Sequence, residues 1–231
     1  MKICFISDIH AGNCIRQPNV KKAIELLTND WHFVLVGDIF DVIALYNNHV
    51  SKSSISDSFL LLEKLKQKSK HITYVYGNHD LNIGSSPWAS ILNYIELKND
   101  EILNLPNEKQ VYCFHGHEED YRFRKKTEKL LIEISDFIYT SACYVDVYFN
   151  TSFRFGLDTI KDQSSYIREF QKSLIEYYKL KFSSVVFGHI HSPFIKQVND
   201  FSFMNSGDWL KHNSYILYDT REDQFSLKFF D

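Results

Sequence analysis

The sequence predicts an α/β protein, a layered mixed β-sheet with helices on the outside and one helical insertion. Three observations predict it. Short apolar runs at residues 2–6, 33–36, 72–76, 110–114 and 184–187 have the length of buried strands. Segments with apolar residues at helical spacing fall between the early runs, at Val20, Ile24 and Leu27 and again over residues 59–65. Each run is followed directly by a cluster of Asp, Asn or His: Asp8-Ile9-His10, Gly37-Asp38, Gly77-Asn78-His79-Asp80, His115-Gly116-His117 and Gly188-His189-Ile190-His191.

In chain order, residues 2–6 form the first strand, and Asp8 and His10 fall where it opens into a loop. Asn13-Cys14-Ile15-Arg16 continues that loop, and a helix follows with Pro18 near its start. Residues 33–36 then deliver Gly37-Asp38 and Asp41, completing a βαβ unit. The helix over 59–65 leads to strand 72–76, Ser85-Ser86-Pro87-Trp88 reads as a helix entry, and strand 110–114 ends at His115. From residue 118 to about 180 charged and aromatic residues dominate without a strand-plus-cluster unit. This stretch reads either as a helical insertion or cap within one domain spanning 1–231, or as an ordinary helical layer on the sheet. Strand character returns at 184–187, and the remainder to residue 230 reads as antiparallel strands. A single sheet is expected to bring the clusters to one edge.

A chain of 231 residues can bury a full core without disulfides. Its formal net charge of −3 offers no electrostatic case for broad nucleic-acid binding. Cys4, Cys14, Cys113 and Cys143 are widely spaced with no C-x-x-C pair, which argues against a zinc knuckle or a disulfide scaffold. Cys4 and Cys113 lie in strand-like runs and are expected as packed thiols. The opening residues lack a signal-peptide core, and no apolar stretch reaches the roughly 18 residues of a membrane span. A cytoplasmic location is the expectation.

Carboxylate, imidazole and amide oxygen are the ligands that hard and borderline divalent metals prefer, and two such ions roughly 3.5–4 Å apart form a hydrolytic device. One Asp-x-His alone reads first as a surface loop. Five clusters at strand ends are another matter, because ligands collect there in open α/β sheets.

In this order the clusters resemble the calcineurin-like metallophosphoesterases, with Asp-x-His, Gly-Asp, Gly-Asn-His-Asp, His and Gly-His-x-His spread over nearly the whole chain. The resemblance implies that one metal takes Asp8, His10 and His191, that the other takes Asn78, His115 and His189, and that Asp38 bridges them. Such a pair acidifies water and neutralises phosphoryl oxygens as charge develops. It also implies that His79 stabilises the phosphoryl group or protonates the leaving oxygen, with Asp80 orienting its imidazole. Otherwise His79 is a loop histidine capped by Asp80. Asp41 reads as the partner of a ligand-side histidine or as a helix cap, and His117 as facing the site or away from it. His49 and His212 are expected as surface or loop histidines. Mn²⁺, Fe²⁺ and Zn²⁺ all suit such ligands, with Mn²⁺ the expected ion.

Further stretches resemble the UDP-2,3-diacylglucosamine hydrolase group, which cleaves a pyrophosphate in lipid A synthesis and releases UMP. They are Asn13-Cys14-Ile15-Arg16, His115-Gly116-His117-Glu118-Glu119-Asp120, the insertion, and Asn205-Ser206-Gly207-Asp208-Trp209. The chain departs from that group in carrying His79 where its best-known members carry arginine, and His117 where aspartate is usual. Arginine holds phosphate in a fixed fork, whereas histidine can also transfer a proton. An insertion that handles lipid should combine an apolar groove with cations, and peripheral contact with the inner membrane follows from the same resemblance. Phe137, Ile138, Tyr139, Tyr148, Phe149, Phe153 and Phe155 offer the first. Arg122, Arg124 and Lys125, with Lys126 and Arg154, offer the second, and Asn78 and His79 would meet the phosphoryl group. The plainer reading makes these aromatics helical core and the charges a solvated face.

Two alternatives stand beside a nucleotide-lipid hydrolase. A phosphodiesterase or phosphatase for nucleotides or nucleic acid predicts an open basic cleft. A metal-dependent binding scaffold needs a broken ligand position, yet every expected position carries a competent side chain.

Overall fold

Side-chain alternation along β1 (Lys2–Ile6) sets the layering, since successive residues of a strand face opposite ways. Cys4 and Ile6 join one core, while Ile3 and Phe5 join another. The computed structural model describes residues 1–13, 18–42, 52–81, 83–85, 89–123 and 164–231. These form two compact units, Met1–His117 with Tyr178–Asp231, and Glu118–Tyr177.

The first unit holds two sheets. The six-stranded sheet has the order 224–229, 214–219, 2–6, 32–36, 72–75, 97–98, and the five-stranded sheet the order 100–104, 110–114, 184–187, 201–205, 194–198. In the first sheet, β1 is followed by α1 (Val20–Leu26), β2 (His32–Val36), α2 (Lys52–Lys68), β3 (Ile72–Val75) and β4 (Leu97–Lys98). β1, β2 and β3 are parallel neighbours, in the register Ile6 opposite Leu35 and Val36 opposite Val75. β10 (Ser214–Asp219) and β11 (Gln224–Phe229) add an antiparallel edge.

The second sheet pairs β5 (Asp100–Asn104) antiparallel to β6 (Gln110–Phe114) and runs β6 parallel to β7 (Ser184–Phe187). β9 (Phe201–Asn205) lies parallel to β7, and β8 (Phe194–Val198) forms the edge.

One core lies between the sheets. Phe5, Val34, Val36 and Val75 from the first pack with Val111, Cys113, Val186 and Met204 from the second. The other core lies under the helices, where Val20, Ala23 and Leu26 of α1 and Leu61, Leu62 and Leu65 of α2 cover Cys4, Phe33, Leu35 and Tyr74. Each Val, Leu or Phe side chain among them that is fully removed from water contributes about 1.5–3 kcal/mol. On the outer face of the second sheet the rings of Tyr112 and Phe182 stack at 4.7 Å and those of Phe187 and Phe203 at 4.9 Å. Cys4 and Cys113 are buried thiols, as expected.

The single sheet expected from sequence is therefore two, and β9 is parallel rather than antiparallel to β7. The strands without a sequence signal explain the error. β4 has only two residues, β5 alternates exposed and half-buried positions, and β8 is an edge strand with three consecutive exposed residues. The second unit begins within α3 (His117–Phe123) and ends within α4 (Ser164–Tyr178). Of the insertion or cap expected over 118–180, residues 124–163 lie outside the described residues. Among the described residues no helix is long and apolar enough to cross a membrane.

Candidate metal centre

Parallel pairing puts the C-terminal ends of β1, β2 and β3 at one edge of the first sheet, and those of β6 and β7 at one edge of the second. The two edges are tied directly. Asp8 Oδ2 accepts the His189 backbone N–H at 3.1 Å, and His115 Nδ1 lies 2.9 Å from the Val36 carbonyl. A carbonyl can only accept, so Nδ1 of His115 carries the proton and Nε2 is turned inward.

Around this seam three groups of side chains have ligand atoms within 4.8 Å of one another: Asp8, His10 and His191; His10, Asp38 and His79; and Asp8, Asp38 and His115. Asp8 Oδ1 lies 3.1 Å from His191 Nε2, and Asp38 Oδ2 lies 3.1 Å from His115 Nε2. His10 Nε2 stands 3.8 Å from Asp8 and 3.9 Å from Asp38. Asp8, His10, Asp38 and His115 are buried, whereas the side chain of His191 is 27% exposed. His189 belongs to none of the three groups, but its ring meets that of His115 edge-on at 5.3 Å. His117 also stands beside His115, with ring centroids 5.6 Å apart, and contacts Tyr76 at 6.3 Å.

The donor set fits divalent cations. Asp8 Oδ1, Asn78 Oδ1 and His115 Nε2 are buried and take no hydrogen bond, an arrangement that is costly unless a cation or water completes it. Without a cation, neighbouring charges act in its place. Burial pushes the Asp8 carboxyl up, but His191 and His10 outweigh it and hold it well below the usual range. For Asp38 the histidines, His115 foremost, likewise overcome burial. Burial takes His10 down to about 4. It pulls His115 the same way, yet Asp38 prevails and raises that imidazole to about 10.

The backbone is shaped to this purpose. Asp8, His10, Asp38, His189 and His191 all have φ between 51° and 67°. This left-handed region costs non-glycine residues about 1–3 kcal/mol each and is concentrated at functional sites. Gly77 allows a close approach, because a Cβ there would lie 2.6 Å from the Asp38 backbone nitrogen and overlap its carboxylate.

Several expectations change. Asp80 does not orient His79: its oxygens accept Phe40 N–H at 2.9 Å, Ile39 N–H at 3.3 Å, Gly77 N–H at 3.0 Å and the Tyr74 hydroxyl at 2.9 Å. Asp41 faces that imidazole instead, with Oδ1 3.4 Å from His79 Nδ1, while Asn13 Nδ2 donates to Asp41 Oδ2 at 2.7 Å. His212 sits in a turn as expected, but its Nδ1 lies 2.6 Å from Asp208 Oδ2, which is also 3.9 Å from His191 Nδ1. Asp208 itself is buried and accepts the backbone N–H groups of Leu210, Lys211 and His212. The stretch Asn205 to Trp209 thus supports the edge: Asn205 donates to the Gly188 carbonyl at 2.6 Å, and the Ser206 and Ser7 hydroxyls meet at 2.6 Å beside Asp8. Arg124, Lys125 and the aromatic residues 137–155 lie outside the described residues, as does the side chain of Arg122.

Fold and site together define a metal-dependent hydrolase. The chain belongs to the calcineurin-like phosphoesterases, whose family model matches residues 1–193. It is 24% identical over 249 residues to a UDP-2,3-diacylglucosamine hydrolase of Blochmanniella floridana, covering 98% of this chain and 97% of the relative. Among solved structures it shares its fold with an archaeal phosphodiesterase at a TM-score of 0.52, 16% identity and 99% coverage of both chains. A phosphoesterase from E. coli, Yfce, matches with a TM-score of 0.50, 14% identity and full coverage of both chains.

Proposed function

We propose that this protein is a dinuclear metal-dependent hydrolase of phosphoester or pyrophosphate bonds that acts on UDP-2,3-diacylglucosamine or a similar nucleotide-linked lipid and releases UMP. The observation that carries the substrate is the match to the Blochmanniella hydrolase over 98% of the chain. In this reading Asp8, His10 and His191 would hold one ion, Asn78, His115 and His189 would hold the second, and Asp38 would serve both. The convergent groups support the places of Asp8, His10, His191, Asp38 and His115, the orphaned oxygen supports Asn78, and the edge-on contact of its ring with His115 supports His189; His79, which converges with His10 and Asp38, is kept for substrate. The ions, Mn²⁺ first among Mn²⁺, Fe²⁺ and Zn²⁺, supply Lewis acidity and a lowered water pKa when bound.

The chain's own groups do the rest. The His115 Nδ1–H bond to Val36 and the His189 N–H bond to Asp8 orient an imidazole and a carboxylate before substrate arrives. His79 holds the phosphoryl group or delivers a proton to the leaving oxygen, and Asp41 sets the direction of its ring. Arg122, Arg124 and Lys125 contribute positive charge toward a diphosphate from the 118–180 insertion. A cytoplasmic enzyme touching the inner membrane peripherally suits such a substrate.

A second reading, a phosphodiesterase or phosphatase for nucleotides, is favoured by His79 standing where the lipid hydrolases carry arginine. UMP release from UDP-2,3-diacylglucosamine with Mn²⁺, beside hydrolysis of a chromogenic diester, separates the two. The proposal expects the lipid nucleotide to be far the better substrate; comparable rates on both would refute the lipid assignment.

A further inference from the structure

The loops after β2 and β3 hold each other through two carboxylates that point in opposite directions. Asp38, on the first loop, accepts the His79 backbone N–H of the second loop at 2.8 Å. Asp80, on the second loop, accepts Ile39 N–H and Phe40 N–H of the first, together with Gly77 N–H of its own turn. A further bond, Val42 N–H to the His79 carbonyl at 3.1 Å, closes the same seam. The two crossing carboxylates have no slack, because a Cβ at Gly77 would already overlap Asp38.

Asp80 is 1% exposed. Its four acceptor contacts engage both oxygens, and none of those contacts is a side chain of the metal centre. Among the described residues its only side-chain donor is the hydroxyl of Tyr74, a fully buried ring in the core under α1 and α2. Through this bond the interlock is anchored to the helical layer rather than to solvent-exposed loop.

We propose that Asp80, together with Tyr74, is a positioning residue that fixes the separation of the Asp38 carboxylate from Asn78 and His79, and exchanges no proton with substrate. The inference rests on reading Asp38 and Asn78 as ligands. An amide in place of Asp80 keeps one acceptor oxygen and turns hydrogens toward backbone N–H groups, so the loops must part. Tyr74→Phe leaves the ring in the core and removes only the hydroxyl.

The test measures Mn²⁺ binding to the full-length protein by isothermal titration, with no substrate present, for wild type, Asp80→Asn and Tyr74→Phe. Loss of a group that orients a ligand typically weakens metal binding about 10–100-fold, which is expected of Asp80→Asn, with a smaller loss of the same sign for Tyr74→Phe. At saturating Mn²⁺ the pH dependence of turnover should keep its shape in both variants. Unchanged Mn²⁺ affinity in Asp80→Asn, or loss of one limb of the pH profile, would overturn the proposal. Should Asp80→Asn fail to fold, unchanged affinity in Tyr74→Phe overturns it alone. Wild type that binds Mn²⁺ with this dependence on Asp80 but hydrolyses no lipid nucleotide would refute the substrate and leave the interlock standing.

Discussion

At the edge of the first sheet, carboxylates are held by backbone N–H groups inside the protein; at the edge of the second, imidazoles stand on loops, and two of them, His189 and His191, are partly open to solvent. Asp38 and Asp80 each accept amide hydrogens from the opposite loop. His191, in contrast, is flanked by Asp8 on one side and Asp208 on the other, with its side chain 27% exposed. Both edges use the left-handed backbone at their ligand candidates. The difference teaches that the carboxylates of the first edge are placed by crossing backbone amides, while the histidines of the second are set one at a time, His115 by the Val36 carbonyl and His191 by the Asp8 and Asp208 carboxylates. Damage to the first edge should therefore abolish the centre, and damage to the second should weaken it by degrees.

The largest effect is expected from Asp38→Ala, which removes a carboxylate from two of the three side-chain groups. Loss of several kcal/mol of charge stabilisation corresponds to about a 10³-fold fall in turnover, measured as phosphate-ester hydrolysis with Mn²⁺. His79→Gln should follow, with turnover down about 10²-fold and the alkaline limb of the pH profile flattened if the ring gives a proton. On the second edge, Asp208→Asn removes the carboxylate between His191 and His212 and should weaken Mn²⁺ binding about tenfold while substrate KM holds. An equal collapse in Asp208→Asn and Asp38→Ala would erase the contrast between the edges.

The smallest effect is a proton count. The Asp38 carboxylate raises His115 to about 10 in the metal-free centre, so that imidazole is protonated at pH 7 and must lose its proton to bind an ion. Metal loading near neutral pH should therefore release a proton, and affinity should rise with pH until about 10, where the release vanishes. Titrations in buffers of different ionisation enthalpy read this directly. No release at pH 7 would contradict the charge pairing of His115 with Asp38.

The ligand candidates were legible because each follows an apolar strand and pairs a small residue or a turn with Asp, Asn or His. The division into two sheets was hidden, since β5 reads Asp-Glu-Ile-Leu-Asn and β8 presents exposed polar positions, neither of which has the pattern of a buried strand. Asp80 looked like the partner of His79 because the two are adjacent in sequence. Through space the neighbour is Asp41, brought there by the loop after β2; a histidine partner was one of the two readings of Asp41, but local sequence does not say which histidine it meets. Asp208 was visible only as part of Asn205 to Trp209, because its bonds depend on how the turn after β9 folds back.

The central claim is that two sheet edges close into one dinuclear centre. Metal content per chain after loading with Mn²⁺ and desalting tests it most directly, in wild type and in His115→Ala. The account predicts two ions in wild type and a lost or weakened second ion when the second sheet's His115 is removed; a single ion in wild type, or an unchanged pair in His115→Ala, would contradict it.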